Sequence, residues 1–265
     1  AWNSQATIVE VLLADSRIDI NTRDNDGWTP LMFAAQDGHL NVLQVLLADS
    51  RVDPEAQHKY GGTALTIAAR NGQAAMVQAL LADSRIDINT RDNNGWTPLM
   101  FAAQNGHLDV LQVLFADSRV DPEAQHKYGG TALTIASSNG QAAIVQVLLA
   151  DSRIDVNIRD NHRWTPLMYA AQNGHLDVVQ LLLADSRVEP QAHDKDGDTA
   201  LSIAALNGQA AVTQVLLADL WININTHDNK GWTPLMFAAN QGHLEAIQAL
   251  LADPRITIDA RNQAD

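Results

Sequence analysis

Asp24-Asn25-Asp26-Gly27-Trp28-Thr29-Pro30-Leu31-Met32-Phe33-Ala34-Ala35-Gln36-Asp37-Gly38-His39-Leu40 is the stretch whose reading decides the fold. Thr29 stands where a helix N-cap belongs, and Pro30 follows at the first helical position, where a missing N–H costs nothing. Leu31, Phe33, Ala34 and Ala35 supply an apolar face, and Gly38 ends the helix as a left-handed cap would. His39-Leu40 opens a second helix, in which Leu40, Leu43, Leu46 and Leu47 keep close enough to the 3.6 period to form one stripe. Asp49-Ser50-Arg51 breaks it. The stretch Val52–Gln57 reads as extended, and Lys59-Tyr60-Gly61-Gly62 reads as a turn.

The same text recurs. Thr29, Thr63, Thr97, Thr131, Thr165, Thr199 and Thr233 are spaced by 34 residues. The chain therefore reads as a single array over 1–265: a partial repeat at 1–23, repeats at 24–57, 58–91, 92–125, 126–159, 160–193, 194–227 and 228–261, and the opening of a further one at 262–265. A second period of 68 lies on top, with Gly-Trp-Thr-Pro-Leu-Met in odd repeats and Gly-Gly-Thr-Ala-Leu-Thr in even ones. Residues 23–90 and 91–158 differ at only ten positions, which implies recent duplication of a two-repeat block, or design. Two short helices and a turn cannot bury their own apolar faces; stacked copies can.

Composition closes off several function classes. The 265 residues are 46% hydrophobic, which fits a folded chain rather than a disordered one. Thirty-one acidic residues against 17 Lys and Arg leave a net charge of −14, so a nucleic-acid groove or an anionic membrane surface is not expected. The absence of cysteine removes disulfides, thiol nucleophiles and thiolate-bound zinc. No apolar run reaches the ~18 residues of a membrane span, and the N-terminus does not read as a signal peptide. An intracellular protein, cytoplasmic or nuclear, or one delivered into a host cell as an effector, is the expectation.

The repeats resemble ankyrin repeats. The matching residues are Asp24-x-x-Gly27-x-Thr29-Pro30-Leu31, Ala34-Ala35, Gly38-His39-Leu40, Leu46-Leu47 and the Asp19-Ile20-Asn21 that closes the preceding repeat. The resemblance covers nearly the whole chain. It implies an all-α fold, helix–turn–helix pairs with β-hairpin turns stacked into an α-solenoid. It also implies a non-enzymatic scaffold that binds a protein partner on its concave face. Carried onto this sequence, that face comprises Arg23, Asn25, Asp26, Trp28, Gln36 and Asp37 in the first full repeat. It continues with Lys59, Tyr60 and Arg70 in the second, Asn94, Trp96, Gln104 and Asn105 in the third, Lys127 and Tyr128 in the fourth, and Trp164 and Trp232 in later odd repeats. The tryptophans form a row at roughly 20 Å spacing. They serve either as partner contacts, where tryptophan is enriched, or as packing over neighbouring hairpins.

The departures carry information too. The usual repeat has 33 residues; here the extra one falls in the loop after the second helix. Met32, Met100, Met168 and Met236 stand where the family has a histidine, so thioether packing replaces its hydrogen-bond network, with Thr66, Thr134 and Ser202 doing so in even repeats. Arg163 replaces the turn glycine of Gly27, Gly95 and Gly231, which would cost roughly 1 kcal/mol if that position needs φ > 0. Leu220-Trp221 interrupts the Asp-Ser-Arg loop and forms either an exposed apolar contact or a fold-back onto the terminal repeats.

No enzyme motif is present, and neither cofactor nor metal is expected. Asp24-Asn25-Asp26-Gly27 and Asp194-Lys195-Asp196-Gly197 glance at a calcium loop, but Phe33 and Ile203 fall where a bidentate Glu is required. Those acids read as caps of local N–H groups. His39, His107, His175 and His243 read as locally hydrogen-bonded packing residues, and His58 and His126 as solvated or partner-facing. Asn21, Asn89, Asn157 and Asn225 read as hairpin-fixing residues. The final helix is as apolar as the internal ones and the chain opens in mid-repeat, so an excised piece of a longer array is expected, with end-to-end self-association as one consequence. The acidic balance favours a partner with a basic or mixed surface. The alternatives are a targeting fragment of a larger enzyme or effector, or an engineered scaffold.

Overall fold

In the computed structural model, residues 2–258 are described, with side chains from residue 5 onward. The end of the last full repeat and the opening of a further one at 262–265 lie outside the described residues. Among the described residues the fold is all-α, with fifteen helices stacked as a solenoid within each of two units and no strand. The hairpin turns are closed by Asp24 N–H to Trp28 O and Gly27 N–H to Asp24 O, each 3.0 Å, and joined to the next turn by bonds such as Lys59 N–H to Asp26 O, 2.9 Å.

Two compact units, 1–127 and 128–265, carry the helices. The first holds α1 (Trp2–Leu13), α2 (Pro30–Asp37), α3 (Leu40–Ala48), α4 (Ala64–Arg70), α5 (Ala74–Leu81), α6 (Pro98–Asn105) and α7 (Leu108–Ala116). There α2, α4 and α6 pack in one row and α1, α3, α5 and α7 in another. The second holds α8 (Ala132–Ser138), α9 (Ala142–Leu149), α10 (Pro166–Asn173), α11 (Leu176–Ala184), α12 (Ala200–Leu206), α13 (Ala210–Ala218), α14 (Pro234–Gln241) and α15 (Leu244–Ala252), again in two rows.

Local chemistry starts and stops these helices where the sequence marks them. The Thr29, Thr97, Thr165 and Thr233 hydroxyls accept from the N–H three residues on. In even repeats the cap becomes reciprocal: Thr63 N–H donates to the Thr66 hydroxyl at 2.8 Å, and Thr131 and Thr199 pair likewise with Thr134 and Ser202. Met32, Met100 and Met168 are each 1% exposed, so the thioethers do fill the core of the odd repeats. Ala35, Ala69 and Ala103 are wholly buried and let neighbouring first helices approach closely.

Apolar cover alone would let the stack slide; polar bonds fix its register. Asn21 uses both ends of its amide on the next repeat: Nδ2 donates to Arg51 O, and Oδ1 accepts from Asp53 N–H, each 2.8 Å. Asn89, Asn157 and Asn225 repeat both bonds. The second-helix histidines also reach across repeats rather than bonding locally as expected. His107 Nε2 lies 2.9 Å from Arg70 O, and His175 and His243 sit 3.0 Å from Ser138 O and Leu206 O. A carbonyl can only accept, so Nε2 carries the proton. Gln73 and Gln209 donate to the equivalent carbonyls of Gln36 and Gln172. Arg51, Arg85, Arg119, Arg187 and Arg255 each clamp the Asp two residues before and donate to the last turn of the previous repeat's second helix. Satisfying those orphan carbonyls is a C-capping function.

Two positions break the pattern. Arg163 adopts φ 66°, where Gly27, Gly95 and Gly231 adopt 82°, 80° and 84°. Ser137 is wholly buried at a site that is Ala in every other repeat, and its hydroxyl finds no partner. Ser137→Ala should therefore stabilise the fold by about 1 kcal/mol, read from chemical unfolding, because it removes an unsatisfied buried hydroxyl. Amides of residues 155–170 should exchange faster than those around Gly231, and Arg163→Gly should slow them. Uniform protection across both turns would contradict a strained Arg163.

Candidate protein-binding surface

The Asp24 side chain builds the first turn: its Oδ1 accepts from Asp26 N–H at 2.9 Å and Trp28 N–H at 2.8 Å. Asp92, Asp160 and Asp228 do the same before Trp96, Trp164 and Trp232. In the second repeat His58 takes over, its Nδ1 accepting from Tyr60 N–H at 3.0 Å. Burial, and then the Arg70 guanidinium, hold the His58 pKa below its usual value and favour the neutral ring, whose bare nitrogen the Tyr60 N–H fixes as Nδ1.

His58 is 8% exposed, not the solvated or partner-facing residue expected. The Trp28 indole lies parallel to it, 5.3 Å between centroids and 7° between planes, and covers it. His126 lies half-buried under Trp96 in the same way, at 5.3 Å and 3°. Adjacency of residues thirty apart produces these stacks, and no local sequence signal announces them. The tryptophans are accordingly not free-standing posts. All four are half-buried, each also against the ring of Phe33, Phe101, Tyr169 or Phe237 at 5.1–5.4 Å.

Around the stacks of the first unit lies an exposed polar border. Lys59 pairs with Asp26 at 2.6 Å and lies over the Tyr60 ring. Lys127 Nζ bonds Asn94 Oδ1 in the corresponding place. The Arg70 guanidinium sits 4.1 Å above the Phe101 ring, and Asn105 Nδ2 donates to Arg70 O. Arg70, Phe101, Trp96 and His126 thus form one connected row. Asn25, Gln36, Asp37, Tyr60 and Gln104 are exposed beside these contacts, and Tyr128 is exposed in the second unit. Arg23 is different, because its guanidinium donates to Gln57 O and ties two repeats together.

The second unit departs from this plan. Asp194 stands where His58 and His126 stand, so Trp164 has no imidazole to cover and donates its indole N–H to Asp194 Oδ2 at 3.0 Å. A cavity of about 310 Å³ opens there, lined by His162, Trp164, Tyr169, Gln172, Asp194, Lys195 and Asp196. Asp198, held by the Ser202 hydroxyl, has its pKa pushed up to about 6 by burial, with Asp194, Asp228 and Asp196 adding to the rise. The exchange of His for Asp at 194 is visible in the aligned repeats; its consequence is visible only in three dimensions. In the same unit Leu220 and Trp221 are 81% and 88% exposed, so they do not fold back. Trp221 occupies the position of the capping arginines.

Models of ankyrin repeats match the sequence over residues 50–126, 116–193 and 186–262, and a further one over 18–68. The chain belongs to the ankyrin repeat family. The crystal structure of the ankyrin repeat domain of Bcl-3, described as a unique member of the IkappaB protein family, superimposes with a TM-score of 0.73 at 25% identity. That match covers 86% of this chain and all of the Bcl-3 domain. Among curated proteins, none matches. Ankyrin repeats are generally protein–protein interaction modules. No helix among the described residues is long and apolar enough to cross a membrane.

Two ankyrin repeats, those of Glu55 and Glu123, carry a carboxyl where Asn21, Asn89, Asn157 and Asn225 carry an amide. Glu55 occupies the slot of Asn21 and Asn89, and its Oε1 accepts from Asp87 N–H at 3.2 Å. Burial pushes its pKa up to about 7, opposed by that N–H and assisted by Asp87 and Asp53. The folded state thus holds the proton more tightly than the unfolded chain, whose glutamate titrates near 4.5. The stability Glu55 contributes is complete below about 4.5 and is lost as pH rises to about 7. Glu55→Gln, which keeps a donor at every pH, should flatten the fall in urea midpoint over that window and gain about 1 kcal/mol at pH 8. Parallel profiles for the two proteins would refute this.

Proposed function

We propose that the chain is a non-enzymatic scaffold that binds a protein partner through the concave face formed by its turns and first helices. The observation that carries this reading is the row Arg70–Phe101–Trp96–His126 in the first unit. Its side chains are already held by neighbours, so a partner would order little on binding. Lys59, Tyr60, Asn94, Gln104, Asn105 and Lys127 offer exposed polar groups at its border, and Asp26, Gln36 and Asp37 do so one repeat earlier. Aromatic and arginine anchors ringed by polar groups are the usual anatomy of an interface. The net charge of −14 favours a partner with a basic or mixed surface, drawn in at long range and weakened by salt. Leu220 and Trp221 add a second, apolar contact in the other unit.

The test is affinity capture, with captured proteins then titrated individually against wild type and variants. Arg70→Ser writes in the residue that the chain already carries at Ser138. That variant and Trp96→Ala should each weaken a genuine partner about tenfold or more, with helical circular dichroism unchanged for Arg70→Ser. Partners held equally by wild type and both variants would place the binding surface elsewhere.

A further inference from the structure

The cavity beside Trp164 is where the second compact unit departs most from the packing seen in the first. At Trp28 and Trp96 the indole face is occupied by a flat nitrogen-bearing ring, parallel to within 7° and 5.3 Å away. At Trp164 the occupant's position in sequence is Asp194, whose shorter side chain meets the indole at its N–H instead. The exchange removes a flat group and adds a negative charge. About 310 Å³ is left, at the small end of ligand pockets.

Charge selects what fits. Asp194 is 6% exposed and already accepts three N–H groups, from Trp164 Nε1 and from the backbone of Asp196 and Asp198. A carboxylate has about four acceptor sites, which leaves one. Asp196 is exposed at the rim. Tyr169 forms another wall, its hydroxyl donating to Asp160 Oδ2 at 2.6 Å and its ring 5.1 Å from the indole. The opposing cation is Lys195. Its counterpart Lys59 is neutralised by Asp26, but His162 stands at the place of Asp26, so Lys195 has no acid across the turn. A flat, weakly hydrated cation with several donors satisfies an indole face and two carboxylates together; a guanidinium is that group, and a compact, strongly hydrated ammonium is not.

We propose that this cavity receives one arginine side chain of a protein partner, its guanidinium stacked on Trp164 with Asp194 and Asp196 as counter-ions. The proposal rests on the reading of the chain as a protein-binding scaffold and names one group that its partner would present.

The test titrates Nα-acetyl-arginine methylamide into the full chain and follows the Trp164 indole N–H by NMR. The neutral citrulline analogue and the lysine analogue serve as comparisons. A saturable shift with a Kd on the order of 1 mM is expected for arginine, with the two analogues at least about tenfold weaker. Asp194→His restores the ring carried at 58 and 126 and should abolish binding. Asp194→Asn keeps an acceptor for the indole while removing the charge, and should weaken binding about tenfold. Lys195→Ala should strengthen it. An unmoved Trp164 signal, equal binding of citrulline or lysine, or an Asp194→His protein that binds like wild type would overturn the proposal. Partner capture that survives Asp194→His but is lost in Arg70→Ser would leave the wider reading standing while removing this cavity from it.

Discussion

Paired helices of seven to nine residues have too little surface between them to make a core, and every other feature of this molecule answers that constraint. Leu43, Leu65, Leu80, Leu111 and Leu114 are buried because adjacent repeats lie over them. Apolar cover is indifferent to small slips along the stack, so register comes from directional bonds. The asparagine amide that both donates to one backbone group and accepts from another is the strictest of these, since a slip of one residue would break both bonds at once. Asn, His or Gln, and the loop Arg each serve a different carbonyl, so no single substitution unties a junction.

That division of labour explains why the helices were legible in the sequence and the junctions were not. Thr-Pro at one end and Gly at the other mark the first helix through interactions within four residues, and a reader of sequence sees those directly. The bonds of His107 and Arg119 span 37 and 38 residues, and their partners are backbone carbonyls, which carry no residue identity to read. From sequence alone the histidines therefore read as locally bonded. His58 behaves likewise: a turn position reads as solvated, but Trp28, thirty positions earlier, covers it.

The turns show how one position can do the same structural duty with two different side chains. Its fixed duty is to accept the N–H groups that close the turn, and both a carboxylate and an imidazole do so. What differs is the part of the side chain left over. The imidazole has a face to offer the indole before it; the carboxylate at 194 has only an edge and a charge. Turn closure therefore survives the exchange while the indole face is released.

The charge distribution follows from the same economy of positions. Acidic residues accumulate because turns and loops need acceptors for backbone N–H groups, and Asp supplies them at nearly every junction. The loop aspartates are neutralised by their own arginines, which hold Asp49, Asp117 and Asp253 down to about 2. The turn aspartates at 194, 196, 198 and 228 have no such clamp. Burial, with Asp194, Asp228 and Asp196 adding to it, raises Asp198 instead of lowering it. Two of these, Asp194 and Asp196, line the cavity beside Trp164, where Lys195 also stands.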